Sequence, residues 1–151
     1  YQPAKYIKSI RDVIRRIKLP ETGYGLEDGK QRAVLSLPPA LAPYKVAIMP
    51  LTKKDGLPEK AREIMDTLKF DHNCQYEEKD SIGKRYRRQD AIGTPFCITV
   101  DHQSLEDNTV TIRDRDTMQQ DRVNMDQLPK IMEGKVSLRA LLQSQATSYL
   151  V

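Results

Sequence analysis

Apolar residues recur along the chain at two spacings, and the spacing changes where turn residues intervene. Ile7, Ile10, Ile14 and Ile17 fall three and four apart, which lays them on one face of a helix over residues 4–18. Pro20 stops that helix, and Thr22-Gly23-Tyr24-Gly25 reads as a loop. The opposite helix face is basic. It is either a solvated surface behind docked isoleucines or a charged stripe for RNA or another partner. Residues 32–37 alternate, Arg32, Val34 and Ser36 against Ala33, Leu35 and Leu37, as an edge strand or extended linker would. Pro38, Pro39 and Pro43 then forbid a helix and stiffen the connection. A boundary is placed at about residue 43, with a basic helix and proline-rich connection over 1–43 and a folded domain over 44–151.

Beyond that point the rhythm becomes regular. Lys45–Leu51 (KVAIMPL) is almost continuously apolar, as a strand buried on both faces is. Asp55-Gly56-Leu57-Pro58-Glu59 opens a helix with proline in its first turn, and Ala61, Ile64, Met65 and Leu68 form its stripe. Asn73–Glu78 reads as a short strand, Ser81–Asp90 as a helix broken by Gly93-Thr94-Pro95, and Phe96–Asp101 as a second buried strand. Leu105–Asn108 is expected to turn the chain into Thr109–Asp114, which returns antiparallel, and Arg122–Met125 is a last short strand. Asp126 is placed at the cap of a helix bearing Leu128, Ile131 and Met132 that ends before Gly134, and Ser137 at the cap of another through Leu142. The order β-α-β-α-β-β-β-α implies right-handed crossovers, three parallel strands and a mixed sheet.

Composition narrows the function. The chain has 151 residues, 38% hydrophobic and 30% charged, enough for one modest core. It has no run of 18 apolar residues to cross a membrane and no apolar segment near the N-terminus that would read as a secretory signal. Cys74 and Cys97 cannot make a disulfide scaffold or a four-thiolate zinc site, and that usage fits a reducing, cytoplasmic setting. The net charge is +4, and residues 1–25 carry it all, with six basic groups against two acidic. The body is therefore neutral, and any nucleic acid must be held by a local patch.

Two clusters could supply that patch. Lys84, Arg85, Tyr86, Arg87 and Arg88 lie in one helix, where they form either a solvated face anchored by Tyr86 or a face turned to an anion. Arg113-Asp114-Arg115-Asp116 ends a strand, and alternation puts both arginines on one face and both aspartates on the other. A guanidinium oriented by a carboxylate suits a base edge or a phosphate, and an ion ladder between strands is the plain alternative. Asp101, Asp114 and Asp116 could also form an acidic metal site. His72 and His102 share no ligand spacing and read as surface or loop residues, while Cys97 reads as core. No catalytic triad, P-loop or dinucleotide fingerprint is present. These residues indicate binding rather than catalysis.

Three blocks, LAPYKVAIMPLTKKDGLPEKA (41–61), SIGKRYRRQDAIGTPFCITVD (81–101) and LEDNTVTIRDRDTMQQDRV (105–123), resemble the C-terminal anticodon-binding domain of glycyl-tRNA synthetases of the dimeric, bacterial type. The resemblance covers about residues 26–143. It implies the three-layer α/β anticodon-binding domain of class IIa synthetases, a mixed sheet of about five strands with flanking helices. It also implies the anticodon stem-loop of tRNA(Gly) as partner, whose anticodons carry cytosine at their second and third positions. By the same resemblance Arg115 and Glu106 are the expected readers, with Arg113, Lys84, Arg85 and Arg88 able to contact RNA, while Tyr86 and Ile92 pack the helix onto the sheet. A carboxylate can accept from the cytosine amino group. The parent would be a homodimeric ligase that activates glycine with ATP and Mg²⁺ in a separate catalytic domain. The class II catalytic motifs are missing here, so the chain is expected to be a C-terminal fragment, to hold no cofactor and to be inactive alone. An accessory protein reusing the fold for assembly is the alternative.

Overall fold

A computed structural model of the chain describes residues 23–27 and 30–148, with side chains from Arg32 to Ser144. The helix expected over 4–18 lies outside the described residues. The apolar run at 45–51 becomes strand β3, Val46–Pro50, buried along its whole length. Gly56, at φ 80, turns the chain into helix α1, Leu57–Leu68, which carries Pro58 in its first turn. Ala61, Ile64 and Leu68 form its buried stripe, whereas Met65 is only partly covered. Strand β4 is Cys74–Tyr76. The Ser81 hydroxyl accepts from the Lys84 amide to cap helix α2, Ile82–Ile92. Strand β5 is Phe96–Val100, and strands β6, Thr109–Asp114, and β7, Gln120–Asn124, complete the sheet. Helices α4, Leu128–Val136, and α5, Leu138–Ser148, follow.

Several expectations change here, among them the cap at Asp126: Asn124 caps a 3-10 turn, Met125–Gln127, and α4 begins beyond it at Leu128. The turn expected at 105–108 is instead helix α3, His102–Asp107, held by a reciprocal capping box between Asp101 and Ser104. The stretch read as a loop near Gly23 is strand β1, Gly23–Glu27, paired antiparallel with β2, Lys30–Val34. Gly134 does not end α4, which runs on to Val136.

The five-stranded order is β4-β3-β5-β6-β7. Strand β3 runs parallel to β4 and β5, and β6 runs antiparallel to β5 and β7. Alternation divides the side chains between two unlike faces. On one face Val46, Ile48, Phe96, Ile98, Val100, Val110 and Ile112 pack beneath α1 and α4, against Leu57, Ile64, Leu68, Leu128, Met132 and Val136. Among the described residues the other face keeps only Ala47, Met49 and Cys97 as apolar core, roofed by Ile82 and Tyr86 of α2. Three layers result, with nearly all the hydrophobic stabilisation on the α1–α4 side.

The segment before residue 43 is bound to this body. The Leu35 amide donates to the Asp90 carbonyl at 2.9 Å, and the Arg115 guanidinium donates to the Leu37 carbonyl at 2.7 Å. Lys45 ties down the proline-rich turn by donating to the Ala40 and Ala42 carbonyls at 2.7 and 2.8 Å. Gly93 allows the close approach. Its φ is +86, and a Cβ there would lie 3.1 Å from the Leu35 carbonyl oxygen. Gly93→Ala combines left-handed strain with that contact, so a loss of about 1–3 kcal/mol is expected in urea unfolding.

Candidate nucleic-acid interface

The arginines singled out from sequence separate into buried and exposed groups. Arg115 is 2% exposed and sits at the amino end of β5. Its Nη1 donates to the Gly93 carbonyl at 2.8 Å, its Nη2 to Leu37, and its Nε to Asp116 at 2.9 Å. Arg113 is 4% exposed, donates to both Asp90 carboxylate oxygens at 2.8 and 3.2 Å, and lies 4.7 Å above the Tyr86 ring. Arg85 is also buried and donates to the Pro50 and Asp80 carbonyls. Arg115, expected as a base reader, and Arg85 and Arg113, expected to be able to contact RNA, are thus buried with guanidinium donors engaged inside the fold. Their donors tie helix, sheet and connecting segment together. Strand alternation could place Arg113 and Arg115 on a face, but not say what would cover it.

Lys84 and Glu106 are exposed, and Arg88 is partly exposed while bridging Glu77 and Asp80. The Arg88 bond holds the Asp80 carboxyl below its ordinary pKa, against a smaller opposing effect of desolvation. Glu106 precedes β6 and Arg115 follows it, so about 20 Å of strand separates them. They cannot bracket one base together. Tyr86 does anchor α2, its hydroxyl 2.7 Å from that of Thr99, whereas Ile92 is 42% exposed and does not.

The sheet supplies a surface that no single motif revealed. Helix α2 reaches Gln75, Pro50 and Thr99, and so covers β4, β3 and β5. On the same side, the register aligns Thr99 with Thr111 and Arg122, Cys97 with Arg113 and Gln120, and Thr109 with Asn124. Gln120, Arg122 and Asn124 are exposed, and Thr109 and Thr111 are half-buried. This half-sheet is exposed and polar, and α2, which covers the neighbouring strands, carries the exposed Arg87. Arg122 donates to the Thr109 hydroxyl at 3.0 Å and to the Asp101 carboxylate. Desolvation raises the Asp101 pKa, but hydrogen bonds from Arg122 and Ser104 outweigh it and hold the carboxyl below its ordinary value. At neutral pH Arg122 is therefore a fixed cation among hydroxyls and amides, a donor and acceptor array suited to base edges. The signal is the alternation in TVTIRD and QDRVN, legible only with the tertiary fact that the helix stops before β7 and meets β6 at Arg113.

The other candidates carry no chemistry. Asp114 pairs with Phe96 at the start of β5 whereas Asp101 follows its end, so about 17 Å parts the acidic residues. Among the described residues no group of three His, Cys, Asp or Glu side chains could hold a metal ion. His72 is buried rather than superficial, and His102 lies 2.9 Å from Asp55. Burial pushes the Cys97 thiol up to about 12 and the Cys74 thiol up to about 11, which disfavours the nucleophilic thiolate at both. No helix among the described residues is long and apolar enough to cross a membrane.

This α/β fold is shared with part of a solved tRNA synthetase. Prolyl-tRNA synthetase from Cryptosporidium parvum, solved with L-proline and AMP, superposes with a TM-score of 0.62 over 76% of this chain and 25% of its own, at 21% identity, a likeness of fold. The family described as "Anticodon binding domain" matches residues 45–135, and the chain belongs to it. Among similar proteins, glycine–tRNA ligase of Clostridium tetani is 57% identical over 111 residues, covering 74% of this chain and 24% of the ligase. The Borrelia hermsii ligase is 56% identical over 103 residues, covering 68% and 23%. That of Rhodopirellula baltica is 53% identical over 112 residues, covering 73% and 21%. The chain thus spans about a quarter of the length of these relatives.

Proposed function

We propose that the chain is the anticodon-binding part of a cytoplasmic glycine–tRNA ligase, and that it holds the anticodon stem-loop of tRNA(Gly) while a catalytic part outside this chain activates glycine with ATP and Mg²⁺. The observation that carries this reading is the open polar half-sheet of β6 and β7 within a domain of the anticodon-binding family. Unstacked loop bases are read on their edges by donors and acceptors held in place, and this face offers Thr109, Thr111, Gln120, Arg122 and Asn124. Lys84, Arg88 and Arg87 border it or lie on the same helix as phosphate-facing cations, and Glu106, beyond the start of β6, is free to accept from a cytosine amino group. Arg85, Arg113 and Arg115 serve as positioning residues that tie α2, the sheet and the connecting segment together.

The test is a titration of the chain with glycine tRNA and with the same tRNA carrying other bases for the last two anticodon cytosines, both at one stated salt concentration. Each altered base is expected to weaken binding by about 1–3 kcal/mol. Lys84→Ala should weaken both tRNAs alike, as loss of a phosphate contact does. Equal affinity of the native chain for the two tRNAs contradicts base reading and favours an accessory role.

A further inference from the structure

The Asp90 carboxylate is fully buried near the end of α2, and it is shared. Arg32 of β2 donates to its Oδ2 at 2.7 Å, and Arg113 of β6 donates to both oxygens. The two arginines stand 81 positions apart in sequence, one on the strand ribbon that precedes the domain and one in the polar rows of the open sheet. The backbone repeats the link, because the Leu35 amide donates to the Asp90 carbonyl and Arg32 Nη1 reaches the Arg115 carbonyl at 3.2 Å. On the sheet side, Arg113 stacks on Tyr86, whose hydroxyl meets Thr99 in the same row as Thr111 and Arg122. A fully desolvated ion triad is an expensive way to hold two segments together, and apolar packing would hold them more cheaply. What the triad adds is direction. It requires β2 and β6 to take one fixed placement relative to a single carboxylate, so that neither moves without straining the other's bonds.

We infer that Asp90 is a positioning residue that couples the β1–β2 ribbon to the open half-sheet, making the ribbon one cooperative unit with the surface proposed to read RNA. Its effect on RNA rests on the function proposed above; the coupling itself does not.

Amide hydrogen exchange on the whole chain tests the coupling without RNA. The Leu35 amide reports the ribbon, and the Asp114 amide, which donates to the Gln119 carbonyl at 2.9 Å, reports β6. Arg32→Met should speed exchange about tenfold at Asp114 as well as at Leu35, while the amides of β3 stay slow and show the fold intact. Arg113→Met should do the same from the other side, with its distant effect read at Leu35. Should it fail to fold, Arg32→Met decides alone. Loosening confined to the substituted side overturns the inference and leaves Asp90 a simple tether. In a second arm an RNA stem-loop with the glycine anticodon is added. Binding should slow Leu35 exchange in the native chain. In Arg32→Met it should still protect β6 and β7 but no longer slow Leu35, because coupling is reciprocal. Protection of β6 and β7 with unchanged Leu35 exchange in the native chain also overturns it. Failure of the RNA to bind at all counts against the proposed function, and the free-protein exchange still decides the coupling.

Discussion

Asp90→Ala is expected to cost about 3–5 kcal/mol of folding stability, because it strands two buried guanidinium groups without their carboxylate. Arg32 and Arg113 are 8% and 4% exposed, so water cannot replace the lost partner without opening the sheet or releasing the ribbon. A domain of this size has a total stability of about 5–15 kcal/mol, and the loss is therefore a large share of it. Chemical unfolding should show a midpoint shifted far down. Replacing Asp90, Arg32 and Arg113 together by apolar residues should recover much of the stability, since the penalty lies in the unpaired charges rather than in the missing pairs. If the single and triple variants prove equally destabilised, the loss comes from packing, and the triad has no special electrostatic standing.

Arg115→Ala should be the second severe variant, at about 2–4 kcal/mol, and its effect on RNA should be unselective. Arg115 is among the largest fully buried side chains in the molecule. Truncation opens a cavity and strips the Gly93 and Leu37 carbonyls of their donor. The sequence resemblance points to Arg115 as a base reader, and a reader's loss would abolish discrimination between anticodons in a stable protein. Its buried position leads to the opposite expectation. The variant should unfold more easily, and whatever remains folded should bind native and altered tRNA with about the same ratio as the unmodified chain. Measuring the two affinities beside an unfolding curve separates the two roles.

The contrast shows what sequence patterns can carry. KVAIMPL and FCITV are long apolar runs bounded by turn residues, and both are central strands at nearly the expected limits. The parallel and antiparallel pairings follow from the lengths of the connections, and they too are found. Errors fall where a short polar signal competes with a weak period. Asp101 and Ser104 form a capping box for α3, but six residues with a single buried side chain show no apolar stripe. Arg32 was legible only as one end of an alternating run, because its partner Asp90 is 58 positions away. The fate of Arg113 depends likewise on a helix that covers β5 and stops before β7, which is a tertiary fact and not a spacing.

The most direct measurement is the map of backbone amide shifts when an RNA stem-loop with the glycine anticodon is titrated into the isotopically labelled chain. Largest changes at Thr109, Thr111, Gln120, Arg122 and Asn124, with the α1–α4 face unmoved, are the expected result. Changes gathered on α1 and α4 instead, with β6 and β7 silent, would contradict the assignment of the open half-sheet as the RNA-reading surface.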